Sequence, residues 1–218
     1  MLILGVDTSG KNGGIALVEF VDGEARTLEI APLEGGTFSA QLIPQISAAL
    51  GKHNLTKNDI DGFAVVSGPG SFTGLRVGLA AIKALAEVLR KPIAAVSLLE
   101  AVVRASEKRG DVIAALEAGR GEAYVGEFVV IDGKLTLHGQ GLVAIAELVS
   151  SNRAEIVTPD AKVADAARGR VTSVEYPKPD FIARLGFEKI RAGETITAVE
   201  LDANYIRRSD AEIKFVGH

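Results

Sequence analysis

The chain has 218 residues, 47% of them hydrophobic, and a net charge of -4. A chain of this length buries roughly 70% of the surface that its unfolded form exposes, so a full core forms without staples. Cysteine is absent, which excludes disulfides, zinc–thiolate sites and thiol nucleophiles and fits a reducing, cytoplasmic setting. The mild acidity argues against a nucleic-acid surface spread over much of the molecule, because neutralising phosphates takes clustered Lys and Arg. The apolar run at residues 2–6 is cut short by Asp7 and has no basic region before it, so no secretory signal is expected. No apolar stretch approaches the roughly 18 residues of a membrane span.

In chain order, residues 2–6 read as a buried strand and residues 13–20 as a second. Asp22-Gly23 is a hairpin signal leading into a third strand at residues 24–31. A helix is predicted over 39–50, with Leu42, Ile46, Ala49 and Leu50 on one face and Pro44 near its first turn. A short buried strand at 63–66 is followed by a loop at 68–74. A long helix over 73–90 stops before Pro92. Residues 93–96 form a strand, and Ser97 caps a helix running to about residue 108. The pattern then restarts: strands at 112–116 and 123–130 with Gly121 at the bend, then Asp132-Gly133 turning into 134–137. The tail containing Pro177 and Pro179 carries no readable period.

A hairpin-rich sheet thus begins twice, at residues 1 and 111, in a shorter version the second time. Antiparallel strands first and parallel strands later is the order of the ribonuclease-H-like fold duplicated in actin-like (ASKHA) proteins. A doubly wound sheet would alternate strand and helix from the start. The expected architecture is α/β and actin-like, with two similar subdomains, each a mixed sheet flanked by helices. The first covers residues 1–108 and carries a partner interface. The second, smaller one covers 109–218.

Residues 5–12, G-V-D-T-S-G-K-N, nearly match a phosphate-binding P-loop. Asn12 replaces the hydroxyl that would hold magnesium, and a strand follows where a helix N-terminus is needed, so the P-loop reading fails. Two readings remain equal on sequence alone. Asp7, Thr8 and Ser9 could face a nucleotide phosphate across an actin-like turn, or they cap their own hairpin backbone. Residues 67–78, S-G-P-G-S-F-T-G-L-R-V-G, fit neither the dinucleotide glycine pattern nor the G-x-S-x-G elbow. Residues 117–124 join two strands and read as a plain turn rather than an anion nest around Arg120. His53, His138 and His218 lie far apart in sequence, and none belongs to a paired zinc motif, so no metal site is expected. No catalytic residue is assigned.

The helix over 73–90 carries the most information. Arg76, Lys83, Glu87 and Arg90 fall in one stripe about 60° wide, and the rest of the circumference is apolar or small. Such a helix needs cover on more than one side, and a partner subunit is preferred over intrachain burial. Gly74, Gly78 and Ala81 form a small-residue row for close approach. Leu75, Leu79 and Ile82 supply apolar area, and Arg76 joins them. Leu42 and Ile46 of the neighbouring helix complete the predicted interface.

With these residues in hand the chain resembles the TsaB (YeaZ) family, paralogous to the TsaD (YgjD, glycoprotease-like) proteins. The resemblance rests on I-L-G-V-D-T-S at 3–9, L-I-P at 42–44 and G-P-G-S-F-T-G-L-R-V-G-L-A at 68–80. R-G-E-A-Y at 120–124 and N-Y-I-R at 204–207 add to it. Phe38, Gly119 and Ala203 depart from the family's usual His, Arg and Pro. The resemblance implies an actin-like, non-catalytic subunit needed for N6-threonylcarbamoyladenosine formation in tRNA next to the anticodon. It implies a heterodimer with a TsaD-type paralogue that carries the ATP and the metal ion, and no cofactor on this chain. It also implies a TsaE-type ATPase in a larger complex, a homodimer when the chain is alone, and tRNA contact only through the complex. A small-molecule kinase or a peptidase-like enzyme of the same fold is the alternative.

Overall fold

The computed structural model describes residues 1–151, 154–167 and 169–206. The chain forms two compact units. One comprises Met1–Ser97 with Lys178–Asn204, and the other is centred on Leu98–Pro177. No helix among the described residues is long and apolar enough to cross a membrane.

In the first unit, β1 (Leu2–Asp7), β2 (Asn12–Val21) and β3 (Glu24–Glu34) form an antiparallel run. Residues 22 and 23 have positive φ at the hairpin between β2 and β3, as the Asp-Gly signal requires. β4 (Gly62–Gly68) and β5 (Ile93–Ser97) then add in parallel beside β1, giving the order β3-β2-β1-β4-β5. β1 sits at the centre and is buried at every position, which explains its unbroken apolar run. The second unit repeats the plan. β6 (Gly110–Gly119), β7 (Glu122–Ile131) and β8 (Lys134–Ala144) are antiparallel, and β9 (Glu155–Thr158) and β10 (Val171–Ser173) are parallel to β6. Counted from the hairpin edge, both sheets run third, second, first, fourth, fifth strand. The second sheet is therefore complete rather than abbreviated. Its last two strands have only 4 and 3 residues, too few to show a period.

Two helices cover one face of the first sheet: α1 (Phe38–Lys52) and α2 (Phe72–Leu89). Pro44 lies inside α1, one turn further in than the sequence suggests, on its exposed side. α2 is capped by Ser71 and ends where Arg90 adopts a left-handed conformation ahead of Pro92. The other face is covered by α6 (Pro179–Arg191), which the sequence left unread. Strand alternation shows the two faces directly: Gly13 packs on Phe38 of α1, and Gly14 packs on Pro179 of α6. A side chain at Gly5 would overlap the Pro179 carbonyl, and one at Gly186 would overlap Ala64, so α6 lies on the sheet at backbone distance. This docking is why the chain does not divide once at 108/109. Residues 178–204 return to the first sheet, and α3 (Leu98–Ser106) belongs with the second. There Leu99 packs near Gly126 of β7. On the other face of that sheet, Ile113, Ala115, Ala123 and Val125 form a core with Leu148 of α4 (Ile145–Ser151) and Val163 of α5 (Ala161–Ala166).

Candidate functional site at the amino end of helix α2

β1 ends at Asp7, whose carboxylate turns back into the protein. Ser9 donates to Asp7 Oδ1 twice, from its backbone N at 2.8 Å and from its hydroxyl at 2.6 Å. Burial pushes the Asp7 carboxyl above its ordinary value, and the two Ser9 donors oppose that only in part. The Thr8 hydroxyl donates to the carbonyl of Gly74 in the first turn of α2 at 2.8 Å. Ser71 N donates to Ser9 O at 2.6 Å, and Ser71 Oγ accepts from Gly74 N at 3.3 Å as the helix cap. The β1–β2 turn and the start of α2 are therefore stitched together by hydrogen bonds in both directions.

Glycine makes this approach possible. A Cβ at Gly78 would overlap the Thr8 hydroxyl, and one at Gly74 would overlap the Thr8 carbonyl. Phe38 seals the third side, its ring within about 3.0 Å of a Cβ built at Gly13 and 3.3 Å of one built at Gly74. Asp7, Thr8 and Ser9 are all buried. These bonds tie Asp7, Thr8 and Ser9 to their own turn and to the first turn of α2. Beside it opens a groove of about 750 Å³, lined by Gly10, Lys11, Glu34, Gly35, Phe38, Ser71, Thr73 and Val77.

The predicted interface residues fall on two sides of α2 and α1. Leu42, Ile46, Leu75, Leu79 and Ile82 are buried inside the first unit, and Gly74 and Gly78 face Thr8 rather than open solvent. This corrects the sequence assignment. The sheet takes up the largest apolar residues of α2, because Leu75, Leu79, Ile82 and Ala86 recur at helical spacing on one face. Arg76 is exposed, its guanidinium lying 3.7 Å from the centroid of the Phe72 ring, and Ala81 is half-buried. The outward stripe of α2 consists of Thr73, Arg76, Ala80, Ala84, Glu87 and Val88, the last 73% exposed, and Ile43 of α1 is 49% exposed. The predicted interface did not include Ala80, Ala84 and Val88, whose four-residue spacing opposite Leu75 and Leu79 is visible in the sequence.

The remaining candidates are dispersed. His53 lies 3.4 Å from Glu29, His138 is exposed on β8, and His218 lies outside the described residues. No group of three or more His, Cys, Asp or Glu among the described residues is placed to hold a metal ion. Residues 119–121 form a turn with three successive positive φ angles. Behind it, Glu117 N donates to Asp160 Oδ2 at 2.7 Å, and Lys162 pairs with Glu117 at 2.5 Å. Asn204, Tyr205 and Ile206 are described, while Arg207 lies outside the described residues.

A family model described as "TsaD: tRNA N6-adenosine threonylcarbamoyltransferase" matches residues 35–214. The chain is 32% identical over 136 residues to the tRNA threonylcarbamoyladenosine biosynthesis protein TsaB of Bacillus subtilis, a match covering 62% of this chain and 58% of that protein. It is 26% identical over 228 residues to TsaB of Haemophilus influenzae, covering 95% and 94%. Against TsaB of Escherichia coli it is 30% identical over 132 residues, covering 59% and 55%. The chain thus spans under two thirds of the B. subtilis and E. coli relatives. Among solved structures, YeaZ from Pseudomonas aeruginosa shares the fold with a TM-score of 0.75 and 22% identity, over 94% of this chain and 99% of that one.

Proposed function

The chain belongs to the TsaB (YeaZ) family within the wider TsaD-type group, and on that footing we propose that it is a non-catalytic subunit of N6-threonylcarbamoyladenosine biosynthesis in tRNA. The observation that carries this reading is the sealed β1–β2 turn. The groups that would meet a nucleotide phosphate in an active member of the fold, Asp7, Thr8 and Ser9, are buried and bonded to each other and to α2. A phosphoryl or carbamoyl transfer site needs such donors free and aimed at the substrate. Here they hold a helix in place.

What that helix offers is its outward stripe. Ala80, Ala84 and Val88 are exposed along one side of α2, with Arg76 and Glu87 on the same stripe, and Ile43 is exposed on α1. Small residues let a partner helix approach closely, and Val88 and Ile43 add apolar area at about 25 cal/mol per Å². The occupant is a TsaD-type paralogue, which carries the nucleotide and the metal ion. A TsaE-type ATPase joins the larger assembly, tRNA is gripped through the complex, and a second copy of this chain takes the surface when the paralogue is missing.

Two measurements test this. The purified chain alone is expected to leave tRNA unmodified, and transfer is expected once the paralogous assembly is added; turnover by the chain alone overturns the reading. In light scattering, Ala84→Arg is expected to abolish assembly with the paralogue while circular dichroism stays native. Unchanged assembly places the interface elsewhere.

A further inference from the structure

We propose that residues 201–204 form a strap that holds the loop in front of α2 in its docking shape, so that this strap and the docking face stabilise one another. The link to docking rests on the function proposed above; the grip on the loop stands on geometry alone.

The strap is built from the end of the first unit. After α6 the chain runs past β5, where Ile196 N donates to Ile93 O at 3.0 Å. Thr197 then closes a small box, its backbone N and its hydroxyl both donating to Glu200 Oε2 at 2.9 Å. Leu201 N returns to Thr197 O at 3.0 Å, and the Leu201 side chain is 0% exposed. That anchor delivers Asn204, whose backbone N donates to Ser67 O at 2.7 Å.

The receiving end is shaped for it. Gly68 has φ of 127°, a region open to glycine, and a Cβ there would come within 2.9 Å of Asn204 O. The strap therefore lies directly on the backbone of the loop. From the opposite side the same loop is held by the β1–β2 turn: Ser71 N donates to Ser9 O at 2.6 Å, and a Cβ at Gly70 would lie 2.5 Å from that same oxygen. Four residues, 68–71, are thus clamped between strap and turn, and the last is the cap of α2. The clamped loop sets where α2 begins, and with it Thr73 and Arg76 at the head of the outward stripe. If the strap favours the docking shape, docking must favour the engaged strap by the same factor, because coupling of two equilibria is reciprocal.

Amide hydrogen exchange tests this on the whole chain, with and without the TsaD-type paralogue. Asn204→Pro removes the donor to Ser67, and Leu201→Ala loosens the anchor. In both, amides 70–75 are expected to exchange about tenfold faster or more, while those of β6 and β7 keep their rates. Both variants are expected to bind the paralogue more weakly, and in the unaltered chain the paralogue is expected to slow exchange at residues 201–204. Unchanged exchange at 70–75 in Asn204→Pro overturns the strap. Faster exchange with unaltered affinity overturns its coupling to docking. If instead Ala84→Arg binds the paralogue normally, the docking face is refuted while the grip of the strap on the loop still shows in the exchange rates.

Discussion

Replacing Gly78 by alanine sets two opposing effects against each other. In an exposed helix the change gains about 1 kcal/mol from helix propensity. Here the new methyl group would overlap the Thr8 hydroxyl. Thr8 cannot swing away: it is buried, its χ1 is restricted by β-branching, and its hydroxyl is tied to Gly74 O at 2.8 Å. Displacing it costs about 1–3 kcal/mol for the broken buried hydrogen bond and about 1–3 kcal/mol for overpacking. The clash wins, and the net loss is about 2 kcal/mol, a fall in Tm of about 4–8 °C for a chain of this size. The same structure predicts rescue. With Thr8→Ala the obstructing oxygen is gone, so adding Gly78→Ala is expected to be neutral or stabilising, a coupling of about 2 kcal/mol between the two sites. Urea unfolding of the four proteins of this cycle, followed by circular dichroism, measures it. If Gly78→Ala alone stabilises the protein, or if Thr8→Ala brings no relief, then Gly78 does not serve the β1–β2 turn and the account of the sealed site fails.

Three further outcomes are expected. Asp7 is a carboxyl whose value in the folded protein lies above its ordinary 3.8 because of burial, so the stability it contributes is present below that value and lost as pH rises through the folded value. Compared with Asp7→Asn, the unaltered protein should therefore lose ground between acid and neutral pH in denaturant titrations; a gap that widens in its favour refutes the assignment. Calorimetry of the isolated chain with ATP is expected to show no micromolar binding, and a micromolar affinity abolished by Asp7→Ala would revive a kinase-like site. Leu79→Arg and Ala80→Arg, adjacent on α2, should part company: the first buries an unpaired charge and costs about 3 kcal/mol or more of stability, while the second keeps the fold and loses the partner, as thermal melts and light scattering would show.

The family was legible from one stretch of residues, G-P-G-S-F-T-G-L-R-V-G-L-A at 68–80, and the fold from the order of strands and helices. Local signals were enough where the physics is local. Asp22-Gly23 and Asp132-Gly133 marked hairpins because their backbone needs positive φ, and the missing hydroxyl at Asn12 removed the P-loop. Three things needed the tertiary structure. The amphipathic period of α2 says that one face is buried but not which neighbour covers it, and the sheet rather than a partner took Leu75, Leu79 and Ile82. The role of Gly78 is set by Thr8, 70 positions earlier in the chain, and no sequence window contains both. The placement of α6 depends on backbone-to-backbone fit at Gly5 and Gly186, where the missing side chains leave no pattern to read. Periodicity records what a residue's neighbours along the chain require. It cannot record contacts made by the absence of atoms, or across a distance that only folding closes.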